Sequence, residues 1–461
     1  MRPVFKVLVL VGALLAIWSA LFGDTFRLPF YWDDFHLIRH YNAAEVRSVF
    51  HGLVDPDKIE TPGLRPVSIL LYNLQGSLCG ENIVAHRIFM VGLMGILLFV
   101  VAILFLEAGL QFFQIAIVLT LFVCSRVFAA LVLWISLSHL ILAYIFIVLT
   151  AYFFLCWVKS RQWLFFIAML ACALIATFTR EETYTMPLAL PILWALSASD
   201  RTRWREVVLA AISIFVIVAF HYWLWHFLIP EALSPQFTLA AIKRLLTAIE
   251  ASWLPGGYTM HGFTDKLIGW SWVGFLVTIL FVFIVSARPR VRWQLFGTCC
   301  LGALLCLPAI GVGRSFGIAL PTLAFMAAVS IAIREMLDQT QFGGTNRRWP
   351  RYAIVTLIFV GLLIGISGGI RRSRYVVESL QENCAVRIVR DGKFLFNLFD
   401  RPATIPDERR KLGLARLKHF GIQSAEDLKQ LETAVRENLG RFAGSGRGAR
   451  LFLSNYDYLS Y

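Results

Sequence analysis

The chain has 461 residues, of which 58% are hydrophobic and 16% are charged, and its mean hydropathy is +0.69. Soluble domains carry about 25% charged residues, so this composition excludes a soluble globular protein and indicates a polytopic membrane protein. The formal net charge of +14 comes from short basic groups between apolar runs. This distribution argues against nucleic acid as a partner and favours topology signals and contact with anionic membrane lipids.

Apolar stretches that approach the length of a membrane span recur along the chain. A spanning helix needs about 20 predominantly apolar residues. About eleven stretches qualify, some only when tilted: 4–23, 83–106, 112–133, 136–158, 162–178, 184–199, 207–229, 268–286, 294–310, 316–334 and 352–370. The sequence therefore predicts an all-α polytopic membrane protein, with a transmembrane domain over residues 1–370 and a small helical tail over 371–461.

Lys and Arg residues in short loops predict how these helices are oriented. Their groups lie at residues 159–161, 201–205, 288–292 and 334–351. All of them fall on the cytoplasmic side if the N-terminus is cytoplasmic. Residues 24–82 then form the first outer loop, residues 230–267 form the large outer loop, and the C-terminal tail also lies outside.

The first apolar stretch is predicted to be an anchor and not a cleaved signal peptide. Its apolar run is too long, and it lacks a clear cleavage site of small residues. The compact chain carries no signal for retrieval to the endoplasmic reticulum. These features favour the cytoplasmic (inner) membrane of a bacterium.

The first outer loop carries the most informative candidate site. Two adjacent carboxylates, Asp33 and Asp34, lie between aromatic residues shortly after the first anchor. Charge close to a membrane is costly and often functional. Neighbouring carboxylates raise one pKa towards that of a general base near neutral pH, or they bind a divalent cation. The competing interpretation is a solvated turn just outside a span.

Two basic side chains follow at the outer ends of the next segments. The planar guanidinium of Arg65 is suited to clamping a phosphate. His86, near the start of the second span, is placed to orient a carboxylate or a phosphate. The competing interpretations are contact with a lipid headgroup for Arg65 and interfacial packing for His86.

Two later turns on the same predicted face are also charged. Arg180 is suited to a phosphate, while Glu181 or Glu182 is suited to orienting an acceptor or binding a metal. Arg314 lies between glycines near a helix start, where backbone N–H groups add to its attraction for an anion. The competing interpretations are a solvated loop and an arginine that extends its side chain to the membrane surface.

Together these residues resemble the motifs of GT-C-type membrane glycosyltransferases, and most closely those of the protein O-mannosyltransferase branch, which includes members with tetratricopeptide repeats. The matching motifs are Trp32-Asp33-Asp34, Leu64-Arg65-Pro66, Gly80-x-Asn82-x-x-x-His86, Arg180-Glu181 and Arg314-Ser315-Phe316. The resemblance covers residues 1–335. The sequence departs from that branch because it shows no tetratricopeptide array, and because Arg180 stands where a lysine is more usual.

The resemblance implies an inverting glycosyltransferase whose donor is a polyprenyl-phosphate-linked sugar, used on the non-cytoplasmic face. It assigns the general base to Asp33 or Asp34. Arg65 and Arg314 then contact the donor phosphate, and the acceptor is a hydroxyl group on a glycan, a lipid or a protein. Some relatives use a divalent cation and others do not, so metal dependence stays open.

In the same scheme His86 and Glu181 are supporting residues.

Two other classes of function compete with a glycosyltransferase. A transporter or flippase for lipid-linked saccharide would also need outward-facing arginines, but it would more often show broken helices and repeated halves. A non-catalytic membrane scaffold would tolerate the loss of Asp33 and Asp34.

Overall fold

A computed structural model describes most of the chain. The described residues are 3–27, 37–50, 64–197, 201–228, 263–286, 288–308, 318–342, 355–371, 373–374, 407–418 and 422–433, with isolated positions at 242–243, 246, 249, 353, 389, 392–393 and 396. Regular secondary structure within this part of the chain is helical throughout. The predicted all-α fold class is therefore confirmed.

Each of the eleven predicted apolar stretches is helical over most of the residues that the structure describes in it. In chain order the helices are α1 (Pro3–Leu21), α2 (Ala43–Val49), α3 (Pro66–Cys79), α4 (Ile83–Glu107), α5 (Phe112–Val123), α6 (Arg126–Leu133), α7 (Ser138–Ser160), α8 (Trp163–Thr179), α9 (Met186–Ser197), α10 (Trp204–Leu228), α11 (Phe263–Ser286), α12 (Pro289–Leu305), α13 (Ala319–Phe342), α14 (Val355–Arg371) and α15 (Asp407–Lys418). Short 3₁₀ segments lie at Gly23–Arg27, Ile135–Leu137, Glu181–Thr185 and Arg201–Arg203.

Within the described residues, five helical segments are long and apolar enough to cross a membrane alone, namely α1, α4, α7 with its preceding 3₁₀ turn, α10, and the first 20 residues of α13. Helices α5 and α6 meet the same criterion as a pair, bent by 61°. Helices α8 and α14 are apolar but shorter. The protein is thus an all-α membrane protein with several spans, while the total of about eleven stays a prediction.

Local signals explain where several of these helices begin and end. Pro66 occupies the first turn of α3, where its missing N–H costs nothing. Gly80 ends that helix with φ +53°, a conformation that favours glycine. The Asn82 side chain accepts a hydrogen bond from the Ala85 N–H at 3.1 Å and so caps α4. The predicted first outer loop therefore contains helix α3, which packs against α8, α4 and α7.

The bundle has a buried centre and an apolar periphery. Helices α7 and α13 are mostly buried, and α7 packs against α4 and α8. Helix α10 instead exposes large apolar side chains such as Phe215 and Phe227. Such an exposed apolar surface is typical of helices that face lipid, because acyl chains are as apolar as the side chains.

Charged turns gather at two ends of the bundle. One of them, the basic end, holds Lys159, Arg203 and Arg288. Lys159 Nζ lies 2.7 Å from Glu107 Oε1, and Arg203 donates to the Val158 carbonyl at 3.2 Å. The other, the site end, holds the start of α3, the end of α8 and the start of α9. Which end faces the cytoplasm stays a prediction.

Candidate functional site

An ion pair at the site end joins two of the predicted motifs across 116 residues of sequence. Arg65 lies directly before α3, and Glu181 begins the 3₁₀ turn between α8 and α9. Arg65 Nε donates to Glu181 Oε1 at 2.8 Å, and its Nη2 donates to Oε2 at 2.9 Å. This two-bond arrangement fixes both the distance and the plane of the guanidinium.

A second ion pair lies in the same turn and is more deeply buried. Arg180 Nε lies 3.2 and 3.1 Å from the two carboxylate oxygens of Glu182. The side chains are only 4% and 9% exposed. A charge buried this deeply is costly unless it is paired, and here each side chain supplies the other's partner.

The Arg180 guanidinium continues into a polar chain on α7 and α3. Arg180 Nη1 lies 2.6 Å from His139 Nε2, and because arginine only donates, that nitrogen must accept. His139 is therefore neutral, with its proton on Nδ1. That nitrogen lies 2.6 Å from the Ser136 carbonyl and 2.5 Å from the Tyr72 hydroxyl. Tyr72 in turn donates to the Ser136 carbonyl at 2.7 Å.

A second histidine fixes the backbone next to Arg65. His221 on α10 donates through Nε2 to the Leu64 carbonyl at 2.9 Å. Its Nδ1 then accepts from the Tyr184 hydroxyl at 2.7 Å. Ser68 adds a bond to the Thr179 carbonyl at 2.9 Å. Helices α3, α8 and α10 and the 3₁₀ turn are thus tied together around the Arg65–Glu181 pair.

The local charges determine the protonation state of Glu181. Burial raises the pKa of its carboxyl group, but the positive charges of Arg65 and Arg180 and the hydrogen bonds from Arg65 outweigh burial and lower the pKa to about 2. Glu181 is therefore ionised at neutral pH. A carboxylate with so low a pKa is a poor proton acceptor, so its role here is to position Arg65 and not to act as a general base.

The predicted site residues fall into three groups according to where they lie in the structure. It brings together four of them, Arg65, Arg180, Glu181 and Glu182, as two adjacent ion pairs. His86 is buried at the start of α4, where its Nε2 donates to the Gly80 carbonyl at 2.9 Å. The remaining three, Asp33, Asp34 and Arg314, lie outside the described residues.

Four polar residues of this network were not predicted as site residues: Tyr72, His139, Tyr184 and His221. In the sequence, His139 only interrupts an apolar stretch, and His221 lies inside a predicted span. A single histidine in such a stretch carries no signal of its partner. One general rule could have identified them. A polar ring inside a membrane helix is costly unless it is hydrogen-bonded, so each such histidine is expected to have a polar partner.

The acidic residues were also candidate ligands of a divalent cation. Within the described part of the chain, no group of three or more His, Cys, Asp or Glu residues is arranged to hold a metal ion. The acidic pair Asp33–Asp34, the first candidate for such a site, lies outside that part.

The fold defines an all-α membrane protein. At its site end two ion pairs and two hydrogen-bonded histidines, His139 and His221, form one polar network. Comparison with known protein families finds no match to the sequence. No curated protein matches it significantly. The family resemblance therefore rests on the motifs themselves.

Proposed function

We propose that this protein is a GT-C-type membrane glycosyltransferase, which moves a sugar from a polyprenyl-phosphate-linked donor to a hydroxyl-bearing acceptor at the site end of the bundle. The observation that carries the proposal is the Arg65–Glu181 pair. Its two members belong to separate motifs of the resemblance, and they meet in a two-bond ion pair although 116 residues separate them.

In the proposed reaction the acceptor hydroxyl attacks the anomeric carbon of the donor sugar. A bond forms between that carbon and the acceptor oxygen, while the bond to the phosphate oxygen breaks and its electron pair leaves with the polyprenyl phosphate. The hydroxyl proton passes to Asp33 or Asp34. Attack from the side opposite the leaving group inverts the configuration of the sugar.

The contacts of the described residues support the part of the proposal in which a cation stabilises the phosphate leaving group. Negative charge develops on the phosphate as the sugar departs, and a cation already held in place stabilises it without reorganisation. Glu181 holds the Arg65 guanidinium in a fixed plane, and His221 fixes the backbone of the preceding residue. In the proposal Arg314 supplies a second cation from the later motif.

One observation favours a second function, a flippase for lipid-linked saccharide. Helices α5 and α6 are bent by 61° at Cys124 and Ser125, and broken helices are common in transporters. The break is buried and locally capped, because the Ser125 hydroxyl accepts from the Phe128 N–H at 3.3 Å. A flippase would move the lipid-linked sugar across the bilayer without breaking its bond to phosphate.

Complementation of cells that lack the protein tests the proposed reaction. The variants are Asp33→Asn, Asp34→Asn and the double substitution, each at normal expression, and the readout is the glycan product. Loss of a general base lowers a rate by about 10²- to 10⁴-fold, so the double variant should make no detectable product. Glu81→Gln, which removes an exposed carboxylate from the turn between α3 and α4, is the control. Full product from both single variants and the double variant would refute the enzyme.

A further inference from the structure

A cavity of about 490 Å³ lies within the bundle and extends from Met186, the first residue of α9, to charged residues at the basic end. It is enclosed by residues of α4, α7, α9, α12 and α13. Most of its lining is aliphatic, as at Val148, Leu193 and Leu323. Cavities of roughly 300–1,000 Å³ with mainly apolar walls and a few polar groups are typical of sites for small molecules.

The apolar part of the cavity has the length of a lipid chain in one leaflet. On α13 its apolar lining runs from Leu320 to Ile331, and on α9 it runs from Met186 to Leu196. At ~1.5 Å per helical residue these stretches are about 16 and 15 Å long. One leaflet contributes half of the ~30 Å hydrocarbon core, or about 15 Å.

The mouth of the cavity is charged and lies at the basic end. It is lined by Arg288, Arg290, Arg334, Glu335 and Asp338. Arg288 is 2.6 Å from a Glu335 carboxylate oxygen, and Arg334 is 3.6 Å from Asp338. These contacts use both carboxylates. Three cations against two anions leave the mouth with one excess positive charge.

Arg290 carries that excess charge. It is exposed in the first turn of α12 and lines the cavity, and it makes no hydrogen bond or ion pair with the residues that the structure describes. Aliphatic walls beside a guanidinium that has no partner among the described residues match one kind of molecule. That molecule has a long apolar chain and an anionic headgroup.

We propose that the cavity binds an anionic phospholipid, with one acyl chain between α9 and α13 and its phosphate on Arg290. A membrane leaflet rich in anionic lipid supplies such a ligand beside a basic protein surface. The proposed headgroup position on Arg290 lies at the basic end, opposite the ion pairs of the site end. Lipid binding there neither requires nor excludes glycosyl transfer.

Native mass spectrometry of the full chain in detergent tests the role of the headgroup. The probes are dioleoylphosphatidylglycerol, zwitterionic dioleoylphosphatidylcholine and inorganic phosphate. The wild-type protein should retain the anionic lipid in preference to the other two, and Arg290→Gln should weaken that binding by about tenfold. Arg292→Gln, one of the neighbouring exposed arginines on the same helix that does not line the cavity, should leave it unchanged.

A second set of variants tests the position of the chain. Ala327→Phe fills the cavity from α13, and Ala189→Leu fills it more mildly from α9. Both should lose the bound lipid, and the milder change keeps the test usable if the larger one prevents folding. Equal retention of the two phospholipids, unchanged binding in the folded filled variants, or preferential binding of free phosphate would each overturn the proposal.

Discussion

Removing the carboxylate from the Arg65–Glu181 pair probes the site end most sharply. Glu181→Gln keeps the shape of the side chain but leaves a cation without its anionic partner where the two side chains are only 15% and 13% exposed. The pKa of Glu181 falls from its ordinary 4.5 to about 2. At ~1.4 kcal/mol for each pKa unit, this corresponds to about 3 kcal/mol in favour of the ionised form in the folded protein.

A double-mutant cycle measures this interaction directly. Arg65→Gln, Glu181→Gln and the double variant are unfolded reversibly in mixed detergent micelles, and the coupling free energy is taken from the four unfolding free energies. We expect about 1.5–3 kcal/mol, the range for hydrogen bonds to charged groups, because the pKa of Glu181 also reflects Arg180 and burial and does not isolate this pair. The Lys159–Glu107 pair at the basic end is the matched control, because the Lys159 side chain is 50% exposed and such pairs contribute about 0–1 kcal/mol. A coupling no larger than that of the control pair would refute the argument that Glu181 holds Arg65.

Three further results are expected. Because the pKa of Glu181 is lower in the folded than in the unfolded chain, its contribution is fully present above pH 4.5 and is lost as the pH falls towards about 2. Unfolding of the wild-type protein and Glu181→Gln should therefore converge over that range, and a constant difference would contradict the lowered pKa. Tyr72→Phe removes the hydroxyl shared with His139, so melting in detergent should show a loss of about 1–2 kcal/mol; an unchanged midpoint would mean that this bond contributes nothing. Reporter fusions after Trp32 should report the non-cytoplasmic side and fusions after Ser160 the cytoplasmic side, and the reverse pattern would place the proposed site in the cytosol.

The helices were predictable because each apolar stretch carries its own signal. The break between α5 and α6 has a local signal in the Ser125 cap, but its packing against α14 depends on distant residues. A Cβ atom on Gly369 would lie 2.5 Å from the Cys124 carbonyl oxygen, so only glycine lets α14 approach the break this closely. Ser373 donates to the same carbonyl at 3.2 Å. Both partners lie more than 240 positions further along the chain, where a local reading of residues 112–133 cannot find them.

Part of the candidate site was likewise predictable from the sequence, and part was not. The turn Arg180-Glu181-Glu182 was predicted because charge between apolar helices is rare and costly. Its pairing was not predictable, since nothing local distinguishes a bond from Glu181 to Arg65 from a bond to its neighbour Arg180. The role of His139 also depends on its neighbours in space. Its pairing with Arg180 keeps the ring neutral, and that pairing forms only when α7 packs against α8.

The central claim is that this chain transfers sugar from a lipid phosphate. The most direct measurement uses purified protein in liposomes with radiolabelled polyprenyl-phosphate hexoses, and envelope material from cells lacking the protein as acceptor. The account predicts that label leaves one of these donors for the acceptor with the wild-type protein, and stays on the donor with the Asp33→Asn/Asp34→Asn double variant. Equal transfer by the double variant, or movement of intact donor across the bilayer without transfer, would contradict it.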